Sequence, residues 1–375
     1  MGNPVHCDFA EPLLILGAST RAAAESARRA FFAPITADLF ADLDLQENCP
    51  ATRVDDYPRG FTEFLQQAPA GDWLYTGALE NYPELVEQWS ATRRLLGNGG
   101  DVLRRARDPV QLAACLRRSG LPSPAVAMSD AGLPRDGTWL RKALHSAGGN
   151  HIDLWSDTAA ASPLDRPVCF QQRVTGLPCS AVYVATQGNA VLLGVTEQLL
   201  SADSFCYAGS IGPLVLTAPQ HSQVTAIGQA LAAEFGLSGL FGVDVLLNAE
   251  GFWPVEVNPR YTASVEVLER ATGIAAIALH VRACREASLP QPLCESVTGA
   301  RVVVGKAILF AATDFTVTCD LRRAIPNLAD VPPPGTRIRQ HHPIATVLCS
   351  GNTPEEVRQS LLAAKKEAGT HIPIL

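Results

Sequence analysis

The sequence predicts a mixed α/β and α+β protein of three domains, and three observations carry that prediction. The chain opens on a strand, a glycine-bearing turn and an Ala-rich helix; its middle is dominated by short strands leading to a hairpin; its end returns to strands and a closing helix. Its 375 residues also exceed the roughly 250 to 300 at which a single core stops growing.

Apolar residues 13–16 read as the first strand, Gly17-Ala18-Ser19-Thr20 as the turn and residues 21–31 as the helix, the start of a doubly wound sheet. A second run at 35–40, a helix at 61–67 and a strand at 73–76 continue the alternation expected of parallel strands. This first domain is assigned residues 1–105. A helix at 109–119 starts at Asp108-Pro109 and stops at Gly120, leading into a second domain, 106–285. There short strands fill 138–195, a helix covers 222–235, a hairpin 241–258, and two helices 263–271 and 274–285. Pro290-Gln291-Pro292 marks a junction, after which strands such as 302–310 and a helix from Pro354 form a small β-rich C-terminal domain, 286–375.

Composition narrows the chemistry. Hydrophobic residues make up 47% and charged residues 18%, which suits a globular chain with real cores. A net charge of -7 with no basic face excludes a nucleic-acid partner. No apolar run reaches the roughly 18 residues of a membrane span, and the first residues lack a signal-peptide pattern, so no membrane partner and a cytoplasmic location are expected. The ten cysteines, scattered from Cys7 to Cys349 without a CxxC pair, fit free thiols in a reducing compartment. Lysine is scarce, at Lys142, Lys306, Lys365 and Lys366 only, so each retained lysine invites a question.

The hairpin carries the strongest chemical signal. Phe241-Gly-Val-Asp-Val-Leu-Leu-Asn248 and Phe252-Trp-Pro-Val-Glu-Val-Asn258 flank Ala249-Glu250-Gly251, read as a three-residue loop with glycine at its left-handed position. With Asn248 opposite Phe252, Asp244 faces Glu256, and Asn258 follows on the same side. Opposed carboxylates repel unless a proton or cation lies between them, and an all-oxygen set suits Mg²⁺. The alternative is the polar face of a half-exposed hairpin. Valines at 243, 245, 255 and 257 make the other face core and favour the metal. Pro254 inside the second strand implies an edge or a bulge. Arg260 points the same way as Asn258 if extension continues through Pro259; it either stabilises charge developing on a phosphoryl group or tetrahedral centre, or forms a structural salt bridge.

Upstream, Trp139-Leu-Arg-Lys142 reads as a strand followed by the small-residue loop 143–151, in which Ser146, Gly148 and Gly149 offer backbone N–H groups to phosphate and Lys142 a point charge.

Together these residues resemble the ATP-grasp superfamily, most closely through DVLLNAEGFWPVEVNPR. The resemblance implies an ATP-grasp fold of two lobes closing on ATP, preceded by a Rossmann-like domain. It implies magnesium, with Mn²⁺ able to substitute, held by Asp244, Glu256 and Asn258, with Arg260 catalytic. It further implies Lys142 and the 146–149 loop on the phosphates, Gln172, Arg173 and Val174 at the adenine hinge within FQQRVTG, and Arg107 of RARDP in place of an ATP-binding lysine. The hinge departs from the family pattern, since Gln171, Gln172 and Pro178 stand where acids for ribose are usual. Residues 75–84 and 94–98 look like a subgroup of predicted ATP-dependent carboligases, some of which resemble the tyramine–glutamate ligase of methanofuran synthesis. The implied reaction joins a small carboxylate, glutamate foremost, to an amine through an acyl phosphate; relatives are often dimers, so a homodimer is the suggested assembly. Rival readings are an ATP-binding regulatory protein without turnover and a biotin-carboxylase-like carboxylase. A dehydrogenase ranks below these because Gly17-Ala-Ser-Thr-Arg lacks GxGxxG.

Overall fold

The computed structural model describes residues 10–157, 166–201, 204–291 and 302–375. Cys7, Cys294 and Pro292 of the expected junction lie outside the described residues.

The N-terminal unit is a parallel sheet of β1 (Pro12–Gly17), β2 (Ala33–Asp38), β3 (Ala51–Arg53) and β4 (Asp72–Tyr75), in the order β3-β2-β1-β4. Helices α1 (Arg21–Arg29), α2 (Leu43–Asn48), α3 (Phe61–Gln67), α4 (Pro83–Ser90) and α5 (Gly100–Ala106) accompany it. A strand covered on both faces is apolar throughout, and Leu13 to Leu16 are all fully buried, Leu13 and Ile15 into one core, Leu14 and Leu16 into another.

Helix α6 (Pro109–Arg118) starts where sequence places it: the Asp108 carboxylate accepts from Val110 N at 2.8 Å and Gln111 N at 3.2 Å. It leads into a small antiparallel lobe of β5 (Val126–Ala127), β6 (Asp136–Ala143), β7 (Ile152–Ser156) and β8 (Val168–Gln172), ordered β5-β8-β6-β7. The large lobe is one eight-stranded sheet. It contains β9 (Leu177–Thr186), β10 (Asn189–Leu200), β11 (Tyr207–Gly212), β12 (Gly239–Asn248), β13 (Gly251–Asn258) and β14 (Val303–Phe310). β15 (Phe315–Thr316) and β17 (Arg337–Ile338) pair apart, while β16 (Leu328–Ala329) and β18 (Pro343–Gly351) complete the order β13-β12-β9-β10-β11-β14-β18-β16. The C-terminal strands therefore extend the central sheet, β14 pairing antiparallel with β11.

Four more helices pack on this sheet: α7 (Ala218–Phe235), α8 (Ala263–Thr272), α9 (Ala276–Glu286) and α10 (Pro354–Ala368). Helix α7 begins four residues before its expected start because Thr217 and Gln220 form a reciprocal capping box, Gln220 N donating to Thr217 Oγ1 and Thr217 N to Gln220 Oε1. Among the described residues no helix is long and apolar enough to cross a membrane.

Candidate active site

The two lobes face each other across a cleft of about 370 Å³. Its small-lobe wall follows from strand alternation: Leu140 and Lys142 of β6 and Gln171 of β8 point into it. Lys142 Nζ donates to Gln171 Oε1 at 3.1 Å, and Gln171 Nε2 reaches Val255 O of the large lobe at 3.3 Å. Gly148 and Gly149 form the roof. Gly149 has φ +78°, and a Cβ there would stand 1.9 Å from Phe205 O, so only glycine lets the loop lie on the strap before β11. Tyr207 N donates to Gly148 O at 2.9 Å, tying the loop to the large sheet.

The large-lobe wall is the hairpin, and its register corrects the expected loop. Asn248 pairs with Gly251, not Phe252, so the turn is one residue tighter than the three-residue reading. A β-bulge between the Val245–Pro254 and Asp244–Glu256 pairs then leaves Val255 unmatched and restores Asp244 opposite Glu256. Pro254 provides the reason: it has no N–H for the ladder, and β13 is the edge strand.

Around these carboxylates the charges form a chain. Gln198 Nε2 donates to Asp244 Oδ1 at 2.8 Å and Asn258 Nδ2 to Asp244 Oδ2 at 2.9 Å. Arg260 donates to Asn258 Oδ1 at 3.2 Å and lies 2.6 Å from Glu80 Oε1. Arg107 donates to Glu256 Oε1 at 3.1 Å. Burial, reinforced by the Glu256 charge, pushes the Asp244 carboxyl up to about 6, against the opposing pull of Ser180, Arg260 and Asn258. Burial alone would raise the Glu80 carboxyl as well, but Arg260 and Arg107 hold it below its ordinary value.

These donors fit a hard divalent cation: two opposed carboxylates, one of them reluctant to ionise beside the other, and an amide oxygen close by. Among the described residues no group of three or more His, Cys, Asp and Glu side chains is placed to hold a metal; the candidate set here is two carboxylates and an amide.

Of the residues singled out in sequence, Lys142, Gly148, Gly149, Arg173, Val174, Asp244, Glu256, Asn258 and Arg260 line this one cleft. Three do not. Gln172 alternates to the opposite face with Trp139, where its Oε1 accepts from Ala125 N at 3.1 Å. The Gln172 and Arg173 N–H groups are spent on Ala125 O and Thr138 O, so the hinge turns Val174 to the cleft instead. Ser146 turns its Oγ to Ala143 O, and its carbonyl accepts from Arg107 and Asn81. Arg107 stands behind the wall, on Glu256, Asn81 and Ser146.

Sequence reasoning missed Gln171, Gln198, Tyr207, Thr262 and Glu80. Gln171 shares a face with Lys142 only through the β6–β8 register, which pairs Lys142 with Cys169, and the others come from elements whose juxtaposition no local pattern encodes. Thr262 is the N-cap of α8, its side chain makes no cap bond, and its buried Oγ1 has no hydrogen-bond partner among the described residues. With Ala263 and Ser264 also lining the cleft, the N-terminus of α8 opens onto it beside Arg260.

Residues 106–264 match the model of the ATP-grasp domain. An uncharacterized protein of Methanocaldococcus jannaschii is 24% identical over 220 residues, 57% of this chain; the chain covers 51%, about half, of that relative's length. A biotin carboxylase of Campylobacter jejuni, solved in a β-γ-ATP complex, superposes with a TM-score of 0.72 at 13% identity, over 96% of this chain and 91% of its own. An L-amino acid ligase of Bacillus licheniformis does so with a TM-score of 0.70 at 15% identity, over 98% of this chain and 99% of its own. At such identities the likeness speaks for the fold alone, and it extends from the N-terminal sheet to the C-terminal helix.

Proposed function

We propose that this protein is an ATP-dependent ligase that activates a small carboxylate as an acyl phosphate and joins it to an amine. The observation that carries the reading is the convergence, in one cleft between two lobes, of opposed Asp244 and Glu256, the Arg260 guanidinium, Lys142 and an open helix N-terminus.

ATP fits the cleft with its base between the lobes at Val174 and its phosphates under the Gly148–Gly149 loop, where Lys142 supplies positive charge. Asp244, Glu256 and Asn258 would hold magnesium, whose chemistry is to neutralise the phosphate oxygens; Mn²⁺ as a substitute belongs to the same reading. A substrate carboxylate fits the N-terminus of α8, where the unpartnered Thr262 hydroxyl, the first backbone N–H groups and Arg260 receive an anion. A carboxylate bound there would accept the γ-phosphoryl group, with ADP as the leaving group. Arg260 then stabilises charge on the transferring group and on the tetrahedral centre formed by the amine. Catalysis is mostly positioning and charge neutralisation with water excluded.

Residues 1–105, 106–285 and 286–375 serve on this reading as three functional units, the last two sharing one sheet. Glutamate as the acid, an aromatic amine such as tyramine as the nucleophile, a place in making a methanofuran-type cofactor, a cytoplasmic site and a homodimer are the finer parts of the proposal. The test is ADP and phosphate release from Mg-ATP with candidate acids, glutamate first, each with and without tyramine or tyrosine, followed by mass analysis. A coupled mass of acid plus amine minus water is expected. ATP binding without release for any pair would favour a regulatory nucleotide-binding protein instead.

A further inference from the structure

The turn after β4, within the stretch 75–84, is left over once the cleft has been described, and it reaches the cleft from behind. Glu80 lies in a 3-10 turn, Leu79–Asn81, with its side chain fully buried. It sits between two guanidinium groups, 2.6 Å from Arg260 and 3.9 Å from Arg107. Its neighbour Asn81 accepts from Arg107 at 3.0 Å and donates to the Ser146 carbonyl of the phosphate loop at 3.3 Å. The Arg260 guanidinium is laid over Gly77, where a Cβ would come within 3.1 Å of its Cζ. One turn of the N-terminal unit thus touches both arginines and the loop.

Glu80 is incompletely satisfied. Neither of its oxygens receives a hydrogen bond of normal geometry from the described residues, so the 2.6 Å approach of Arg260 is an ion pair with poor hydrogen-bond alignment. A buried carboxylate with unfilled acceptor capacity is costly. Arg107, meanwhile, divides itself between two carboxylates, 3.1 Å from Glu256 and 3.9 Å from Glu80. A cation at Glu256 would repel Arg107, and a shift of about 1 Å would bring it to hydrogen-bond distance of Glu80.

We propose that Glu80 is a positioning residue of the cleft: it receives Arg107 when a divalent cation takes Glu256, while holding Arg260 beside Asn258. The inference rests on the reading of Asp244, Glu256 and Asn258 as cation ligands. Without the Glu80 charge, Arg107 stays on Glu256 and competes with the cation.

The experiment is ADP binding by calorimetry at stepped MgCl₂ concentrations, with melting curves in EDTA to check folding. Glu80→Gln should raise the MgCl₂ needed for half-maximal binding by about tenfold, a usual size for coupled buried charges. Adding Arg107→Gln in the same chain should bring that requirement back towards the wild-type value, because the competing cation is gone. Glu80→Asp, which keeps the charge but retracts it, should fall between, and it carries the test if Glu80→Gln does not fold. An unchanged MgCl₂ requirement in Glu80→Gln, or no return on adding Arg107→Gln, overturns the proposal. Absence of ADP binding by the wild-type protein at every MgCl₂ concentration overturns instead the nucleotide reading beneath it.

Discussion

Two buried charge clusters lie on either side of helix α8, and they are built on opposite terms. Behind the helix, Arg21 of α1 is almost wholly buried and grips Glu266 with two bonds, 2.7 and 3.0 Å, while its Nε donates to Asp330 at 2.8 Å. Lys306 of β14 adds a third bond to Glu266 at 3.0 Å. Arg21, Lys306, Glu266 and Asp330 each have a partner of the opposite sign, contributed by the N-terminal unit, helix α8 and the C-terminal strands together. In front of the helix, Asp244 faces Glu256, and among the described residues Glu80 lacks a well-aligned donor and the Thr262 hydroxyl has no hydrogen-bond partner. The contrast teaches that satisfied buried charge locks architecture, whereas unsatisfied buried charge marks where a ligand completes the structure.

The largest effect should come from breaking the satisfied cluster. Arg21→Met leaves Glu266 and Asp330 facing each other and should cost about 3–5 kcal/mol, seen as a melting point lower by roughly 10 °C. A wild-type melt would place that cluster among the dispensable ion pairs and erase the contrast.

The front cluster should behave the other way round. Asp244→Asn and Glu256→Gln should each lower turnover by on the order of 10²-fold or more, yet leave the melt in EDTA unchanged or higher, because they relieve like-charge repulsion. Normal turnover in both variants would contradict the cation assignment. Lys142→Ala should weaken ATP binding by about tenfold, the worth of one charge-assisted hydrogen bond, with little change in melting. An equal ATP affinity would remove its part in holding phosphate.

The smallest effect concerns pH. Asp244 is raised from 3.8 to about 6, so the folded, cation-free protein holds a proton that the unfolded chain has already released. Its contribution to stability is therefore present below about pH 4 and is lost as pH rises through 6, by on the order of 1 kcal/mol for a group that lines an open cleft. Mg²⁺ binding should strengthen over the same window. Melting curves in EDTA and in MgCl₂ from pH 4 to 7 should thus diverge as pH rises; parallel curves would show that the proton and the cation do not share the site.

Local pattern made much of this molecule legible. Buried strands such as Leu13 to Leu16, the Asp108 cap and helix α3 obey periodicity and capping rules that act over a few residues, and each lies where the sequence places it. The opposition of Asp244 and Glu256 was also legible, although by a route the structure revises: a tighter turn and a bulge at Val255 offset one another. Of the expected hinge residues Arg173 and Val174 line the cleft while Gln172 does not, because Gln171 and Gln172 occupy opposite faces of β8.

The sequence by itself determined many of the elements and the ligand-type residues on one hairpin, because those depend on spacing along the chain; the two lobes were implied by the family resemblance. Only the tertiary structure decided that Glu80 and Asn81, more than a hundred residues before the hairpin, close the charge network behind it. It also decided that Arg107 serves Glu256 and the Ser146 carbonyl from outside the cleft. Such pairings depend on how sheets stack and loops approach, and electrostatic partners chosen across that distance leave no periodic trace in the chain.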